Sequence, residues 1–271
     1  MKRRSTWWKT LIALVLTLIM LFPMYWMINI SLTKRQSIRS GDLFPKDFTL
    51  ENYQAAFGTE LPYLGTSLIV ALCCVILTLV IALPSSYALG MLNLRGRKSL
   101  NFALIVAQMI PAVVMALGFY QIYNQLGLLD SIWGLILADS TIAVPFAVML
   151  LSSFMRSLPM SLVEAAKIDG ASQWTVFTRI VVPLSRNSIV TASLFSFLWA
   201  WSDFMFASTL NSGGGNVRPI TMGIYDFIGA QNQEWGPLMA TAVLASIPTA
   251  VLLIVAQKYV SAGITAGAVK D

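Results

Sequence analysis

Two carboxylates sit inside otherwise apolar stretches of this sequence, Asp139 in SIWGLILADSTIAVPFAVML and Asp203 in LFSFLWAWSDFMFASTL. A charged carboxylate facing lipid costs at least ~2.5 kcal/mol, so each must face protein or a polar cavity. Asp203 follows Trp199, Trp201 and Ser202. A carboxylate that accepts hydroxyl hydrogen bonds, beside an indole that stacks on the apolar face of a sugar ring, is a sensible carbohydrate contact. The bland alternative is that Asp203 bonds a neighbouring helix while the tryptophans form an interfacial belt; for Asp139, which lies roughly 12 Å along its helix, that kind of structural role weighs more. Both acids argue against an anionic substrate.

Covalent chemistry finds no support. Histidine is absent, and the two cysteines, Cys73 and Cys74, are neighbours in an apolar run, where they cannot join distant segments. No carboxylate cluster has metal-ligand spacing. The nearest approach to a phosphate loop, GMLNLRGRKS from Gly90 to Ser99, fails the GxxxxGK[ST] spacing and follows no strand. The chain is therefore expected to be no enzyme, to bind no cofactor or metal itself, and to hydrolyse no ATP. A net charge of +6 raises nucleic acid as a partner, but no basic patch is interleaved with aromatics.

The elements that must position these residues are membrane spans. Of 271 residues, 57% are hydrophobic and 11% charged, about half the charge of a soluble domain. Apolar stretches long enough to cross a bilayer at about 1.5 Å per residue run over 10–32, 64–92, 100–123, 131–155, 188–210 and 237–259. The first follows MKRRSTWWK but is too long for a signal peptide and lacks a cleavage site, so it reads as an uncleaved helix. Pro23, Pro84, Pro111, Pro145 and Pro248 recur in the spans, which membrane helices tolerate when neighbours satisfy the freed carbonyls. The third span is expected to be interrupted at Pro111 and Gly118. Residues 33–61 form a polar segment outside the membrane.

Six spans put both termini on one side. With that side cytoplasmic, thirteen basic residues lie inside (Lys2, Arg3, Arg4, Lys9, Arg95, Arg97, Lys98, Arg156, Lys167, Arg179, Arg186, Lys258, Lys270) and five outside (Lys34, Arg35, Arg39, Lys46, Arg218), as the positive-inside rule requires.

One interval, Ser157 to Pro183, is long, polar-containing and cytoplasmic in this topology. Ser157 is suited to cap a short helix, Pro159 to occupy its first turn and Gly170 to stop it. Leu158, Leu162, Ala165 and Ala166 share one face of that helix, with Met160, Glu164 and Lys167 opposite. A second helix starts from Ser172, ends near Pro183, and carries a Trp174, Phe177, Val181 stripe. Geometry alone leaves open a plain interfacial connector.

The order of residues says more. EAAKIDGA at 164–171, followed by Phe177 and Pro183-Leu184, resembles the EAA loop of binding-protein-dependent ABC importer permeases, in their sugar-importing branch. WAWSDFMFASTL at 199–210 and GITAGAVKD at the C-terminus resemble the same family, so the likeness covers nearly everything after the first span. It implies an all-α, six-span permease of the type I importer fold in a bacterial or archaeal cytoplasmic membrane. It also implies a first helix and outer segment over 1–61, a permease core over 62–260 and a cytoplasmic tail over 261–271. Glu164, Ala165, Ala166, Asp169, Gly170 and Pro183 would couple the chain to an ATPase. The implied partners are a second homologous permease, two ATPase subunits carrying ATP and Mg, a solute-binding protein outside, and an oligosaccharide, glycoside or polyol. The outer loop 211–236 would meet the binding protein through Gly213, Gly214, Gly215, Tyr225 and Phe227. Ser202, Asn187 and Val182 stand where the family often has asparagine, proline and leucine. Two other readings compete: a carrier driven by an ion gradient through Asp139 and Asp203, and a scaffold that moves nothing.

Overall fold

The structure, a computed structural model, describes residues 7–38, 41–211, 217–228 and 234–268, with side chains through residue 257. Among the described residues the main helices are α1 Trp7–Ser31, α2 Glu51–Met91, α3 Arg97–Met109, α4 Ala112–Leu126, α5 Ile132–Ser157, α6 Met160–Ile168, α7 Gln173–Leu184, α8 Arg186–Ser202, α9 Met205–Leu210 and α10 Trp235–Ala268. The turns Ile220–Gly223 and Ile224–Phe227 lie between α9 and α10. Among the described residues the β pairing is one isolated bridge, Thr33 with Phe48.

Among the described residues four helices are long and apolar enough to cross a membrane alone: α1, α2, α5 and α10. Two bent pairs, α3 with α4 and α7 with α8, raise the number to six if each is one span. The bend between α3 and α4 is 91°. It falls at Pro111 and not at Gly118, through which α4 runs unbroken. Proline disfavours helical backbone in the residue before it, and Ile110 is extended at φ −73, ψ 122. The second span is longer than its apolar stretch, because α2 begins at Glu51 and so takes in part of the polar segment. At 41 residues it is about 60 Å long, twice a hydrocarbon core.

The chain forms two compact units. The first holds residues 1–62 and 223–248. Here α1 exposes nearly all of its length and buries only Asn29 and Ser31 at its C-terminal end. Asn52 on α2 clamps that end, donating from Nδ2 to the carbonyls of Ser31 and Thr33, each at 3.0 Å. Arg35 pairs with Glu234 at 3.4 Å.

The second unit holds residues 63–222 and 249–271, and α5 is its axis. One end of α5 packs Leu135, Ile136 and Ala138 with Val70, Tyr123, Phe206 and Leu210. Its other end packs Ala147, Leu151 and Met155 with Tyr87, Val163, Phe177 and Val181. Gly134 admits the first turn of α5 beneath the preceding loop, for a Cβ there would lie 2.3 Å from the Leu128 carbonyl oxygen.

Candidate functional site

The interval from the end of α5 to α8 is anchored on one side and open on the other. Ser157 does not cap α6; it is the last residue of α5, and its hydroxyl donates to the Phe154 carbonyl at 2.7 Å. Pro159 stands immediately before α6 with φ −60. The helix stops as its sequence dictates. Gly170 takes φ +81, its N–H bonds the Lys167 carbonyl at 3.1 Å, and the Ala171 N–H bonds the Ala166 carbonyl at 2.9 Å. That pair of bonds is the Schellman arrangement, which satisfies carbonyls the helix end would leave bare. Ser172 then caps α7 by accepting the Thr175 N–H at 3.1 Å.

The helix expected to end near Pro183 runs through it to Leu184, because Phe177–Val181 widens into a π turn. Proline lacks an N–H and its ring clashes with the carbonyl four residues back, and the wider turn moves that carbonyl aside. A 76° bend then leads into α8.

The anchored face consists of Val163, Val176, Phe177 and Val181, all buried, with Leu158 and Ala166 partly covered. Leu162 and Ala165, which share a face with Leu158 and Ala166 by periodicity, are exposed. The packed stripe of α6 is centred on Val163, so Leu162 falls off its edge. Tyr87 of α2 reaches in from the side: its hydroxyl donates to Gln173 Oε1 at 2.8 Å, and its ring lies 5.2 Å from that of Phe177. The open face carries Glu164, Ala165, Asp169 and Gly170, with Ile168 87% exposed and Trp174 69% exposed. Trp174 thus leaves the stripe it was expected to share with Phe177 and Val181, although its ring stays 5.5 Å from Phe177. Nothing lies within 4 Å of a Cβ built on Gly170.

The candidate pathway residues divide. Asp139 is 1% exposed, and its Oδ1 has no hydrogen-bond partner. Asp203 ends α8 in extended backbone, and its carboxylate accepts the N–H groups of Phe206 at 3.2 Å and Ala207 at 2.9 Å, capping α9. Trp201 is buried and stacks on Phe197 at 5.5 Å. Ser202 is exposed and donates to the Leu198 carbonyl at 2.7 Å. Trp199 lines a cavity of about 380 Å³ with Gln108, Phe146, Phe195 and Ser196. Asp203→Ala should therefore lower the stability of the purified protein by about 1–2 kcal/mol, the usual effect of losing a helix cap, with Asp203→Asn recovering part of it. A changed uptake KM with unchanged melting would instead mark a substrate contact.

Tyr225 is exposed and Phe227 half-buried in the turn Ile224–Phe227 of the first unit. Gly213, Gly214 and Gly215 lie outside the described residues, as do the side chains of the C-terminal tail. Tyr87 and Gln173 were not foreseen as site residues, since a tyrosine in an apolar span carries no signal of its own.

The family described as "binding-protein-dependent transport system inner membrane component" matches residues 82–266, from the last turns of α2 to the last turns of α10. The chain belongs to this family. Its relatives include the trehalose transport system permease protein SugB of Mycobacterium tuberculosis, 32% identical over 272 residues that cover 99% of this chain and 98% of the relative. The diacetylchitobiose uptake system permease protein DasC of Streptomyces coelicolor is 31% identical over 97% of this chain and 96% of its own length. Among solved structures, a bacterial ABC transporter involved in the import of the acidic polysaccharide alginate superimposes with a TM-score of 0.81, covering 96% of this chain and 99% of the other. At 21% identity that likeness shows the fold, which is the all-α ABC importer permease fold expected from the sequence. As a member of this inner-membrane family the chain is a transport permease.

Proposed function

We propose that this permease forms half of the translocation path of an ATP-driven carbohydrate importer. A second permease forms the other half, two ATPase subunits bind inside with their ATP and Mg, and a solute-binding protein docks outside. The observation that carries this reading is the two-faced interval from Ser157 to Leu184: one side is nailed into the second unit's core by Val163, Phe177 and Val181, and the other presents Ile168, Gly170 and Trp174 outward. A force applied to that outer side reaches α2, α5 and α8 through packed side chains. Alternating access then follows as ATP binding draws the two coupling segments together and the spans rock with them.

A carbohydrate substrate is supported by relatives named for trehalose and diacetylchitobiose transport, together with Trp199 and Gln108 at the cavity wall. The charge asymmetry of the loops supports a topology with both termini in the cytoplasm. Gly213 to Gly215, Tyr225 and Phe227 remain the proposed contact with the binding protein, a role supported by a fold relative solved as an alginate transporter in complex with a substrate-bound periplasmic protein.

ATP hydrolysis and sugar uptake by the reconstituted complex test the reading together. Hydrolysis should rise when sugar-loaded binding protein is added, and uptake should stop on ATP depletion while surviving an ionophore. The opposite pattern would make the chain a carrier driven by an ion gradient.

Tyr87→Phe isolates the link between the segment and α2. It keeps the ring against Phe177 and removes only the hydroxyl that donates to Gln173, a loss of about 1 kcal/mol. Sugar imported per ATP should fall roughly fivefold with the complex still assembled; an unchanged ratio would show that this hydrogen bond carries no coupling.

A further inference from the structure

A pocket of about 480 Å³ opens in the second unit between α2, α3 and α5, walled by Ile81, Ala88, Leu94, Leu100, Leu104 and Val148. Its one hydroxyl, that of Ser85, turns back onto the Ile81 carbonyl at 2.7 Å, so the walls present hydrocarbon. A sugar would find nothing to bond there. Leu94 and Leu100 are also the two ends of the turn that carries Arg95, Arg97 and Lys98. These three cations take no part in the ion pairs Arg35–Glu234 and Lys46–Asp42. Arg97 donates from Nη2 to the Leu92 carbonyl, while its Nε is buried without a hydrogen-bond partner. The first turn of α3, which begins here, contains no acid.

An apolar slot whose wall residues Leu94 and Leu100 flank a basic stretch of chain has the chemistry of an amphiphile with a negative head. We infer that this pocket binds one anionic phospholipid, with an acyl chain between α2, α3 and α5 and the phosphate against Arg95, Arg97 and Lys98. Charge complementarity selects this occupant over a zwitterionic lipid, and the hydrocarbon walls select it over a free anion. The bound lipid would lie beside the contact that Leu104 of α3 already makes with the core anchoring the Ser157–Leu184 segment. The inference rests on the proposed topology only in placing the lipid in the inner leaflet.

Native mass spectrometry of the assembled transporter tests this, using equal amounts of phosphatidylglycerol and phosphatidylcholine as probes. Because it counts bound lipid and not transport, a wrong functional reading leaves the result interpretable. Phosphatidylglycerol should be retained with a roughly tenfold preference, the scale expected of a few cations near a phosphate. The triple variant Arg95→Gln, Arg97→Gln, Lys98→Gln should lose the preference yet still hold either lipid. Ala103→Phe, whose side chain grows into the pocket, should lose both. A preference that persists in both variants would overturn the inference by locating the lipid elsewhere. Displacement of phosphatidylglycerol by inorganic phosphate alone would overturn it in favour of a free-anion site, and lipid retention only when the ATPase subunits are absent would assign the surface to that partner.

Discussion

Replacing Trp174 with alanine should weaken binding of the ATPase subunit by at least about 2 kcal/mol, roughly thirtyfold in Kd. The ring is 69% exposed in the isolated chain, yet it is not loose: Phe177 lies 5.5 Å away and is itself held by Tyr87. An aromatic side chain already fixed in place loses little conformational freedom on docking, which is why tryptophan dominates binding energy at many interfaces. Beside it Ile168 is 87% exposed, an apolar side chain with no burial to gain inside its own fold. Titration of detergent-purified permease pair with ATPase subunit, monitored by surface plasmon resonance, gives the value. The fold should be untouched, since Trp174 contributes little to the core, and a melting temperature equal to wild type would establish that. Unchanged affinity would move the docking surface away from this face.

Gly170→Val should leave the complex assembled and cut uptake by about tenfold or more, with ATP hydrolysis no longer stimulated by the loaded binding protein. The reason is backbone conformation and not crowding. A Cβ at this position meets nothing within 4 Å, but φ is +81, where a side chain with a β-branch costs about 1–2 kcal/mol. The chain relieves that strain by giving up the two capping bonds at Lys167 and Ala166. The path from α6 to α7 then loses its fixed direction, so the outward face moves without carrying α7 along. Gly170→Asn, which tolerates the left-handed region, should recover much of the coupling. Wild-type uptake by the valine variant would sink the coupling assignment.

Much of this architecture is legible in the sequence because lipid allows few solutions. Long apolar stretches must be helical, and α1, α2, α5, α10 and the pair α3 with α4 fall where the hydropathy does, whereas the stretch 188–210 is split between α8 and α9. Gly170 and Ser172 were readable for the same kind of reason: a glycine after a helical run and a serine before the next have backbone roles that depend on near neighbours alone. What escaped depended on tertiary contact. The choice between Val163 and Leu162 as the packed side of α6 turns on where α2 and α5 stand, and periodicity cannot supply that. Asp203 could be recognised as a carboxylate needing partners, but only the break at Ser202 reveals that the amides of α9 are those partners. Tyr87 and Gln173 are far apart in sequence and come together only through the fold. The bend at Pro111 was foreseen in place though not in angle, because a proline marks a break while its neighbours set the direction.

The π turn at Phe177–Val181 gives the segment from Ser157 to Leu184 a phase as well as a length. A wide turn takes up one residue more than the α path it replaces, and each residue of an α-helix rotates the chain by about 100°. Deleting one residue there would remove the wide turn that accommodates Pro183 and would rotate everything downstream relative to Trp174. The face of α8 that now packs Thr191, Ala192 and Leu194 inward would be turned aside, even with every docking residue still in place. In the proposed importer the permease and its ATPase would have to agree on an angle, so segments exchanged between relatives should work only when the register of this turn travels with them.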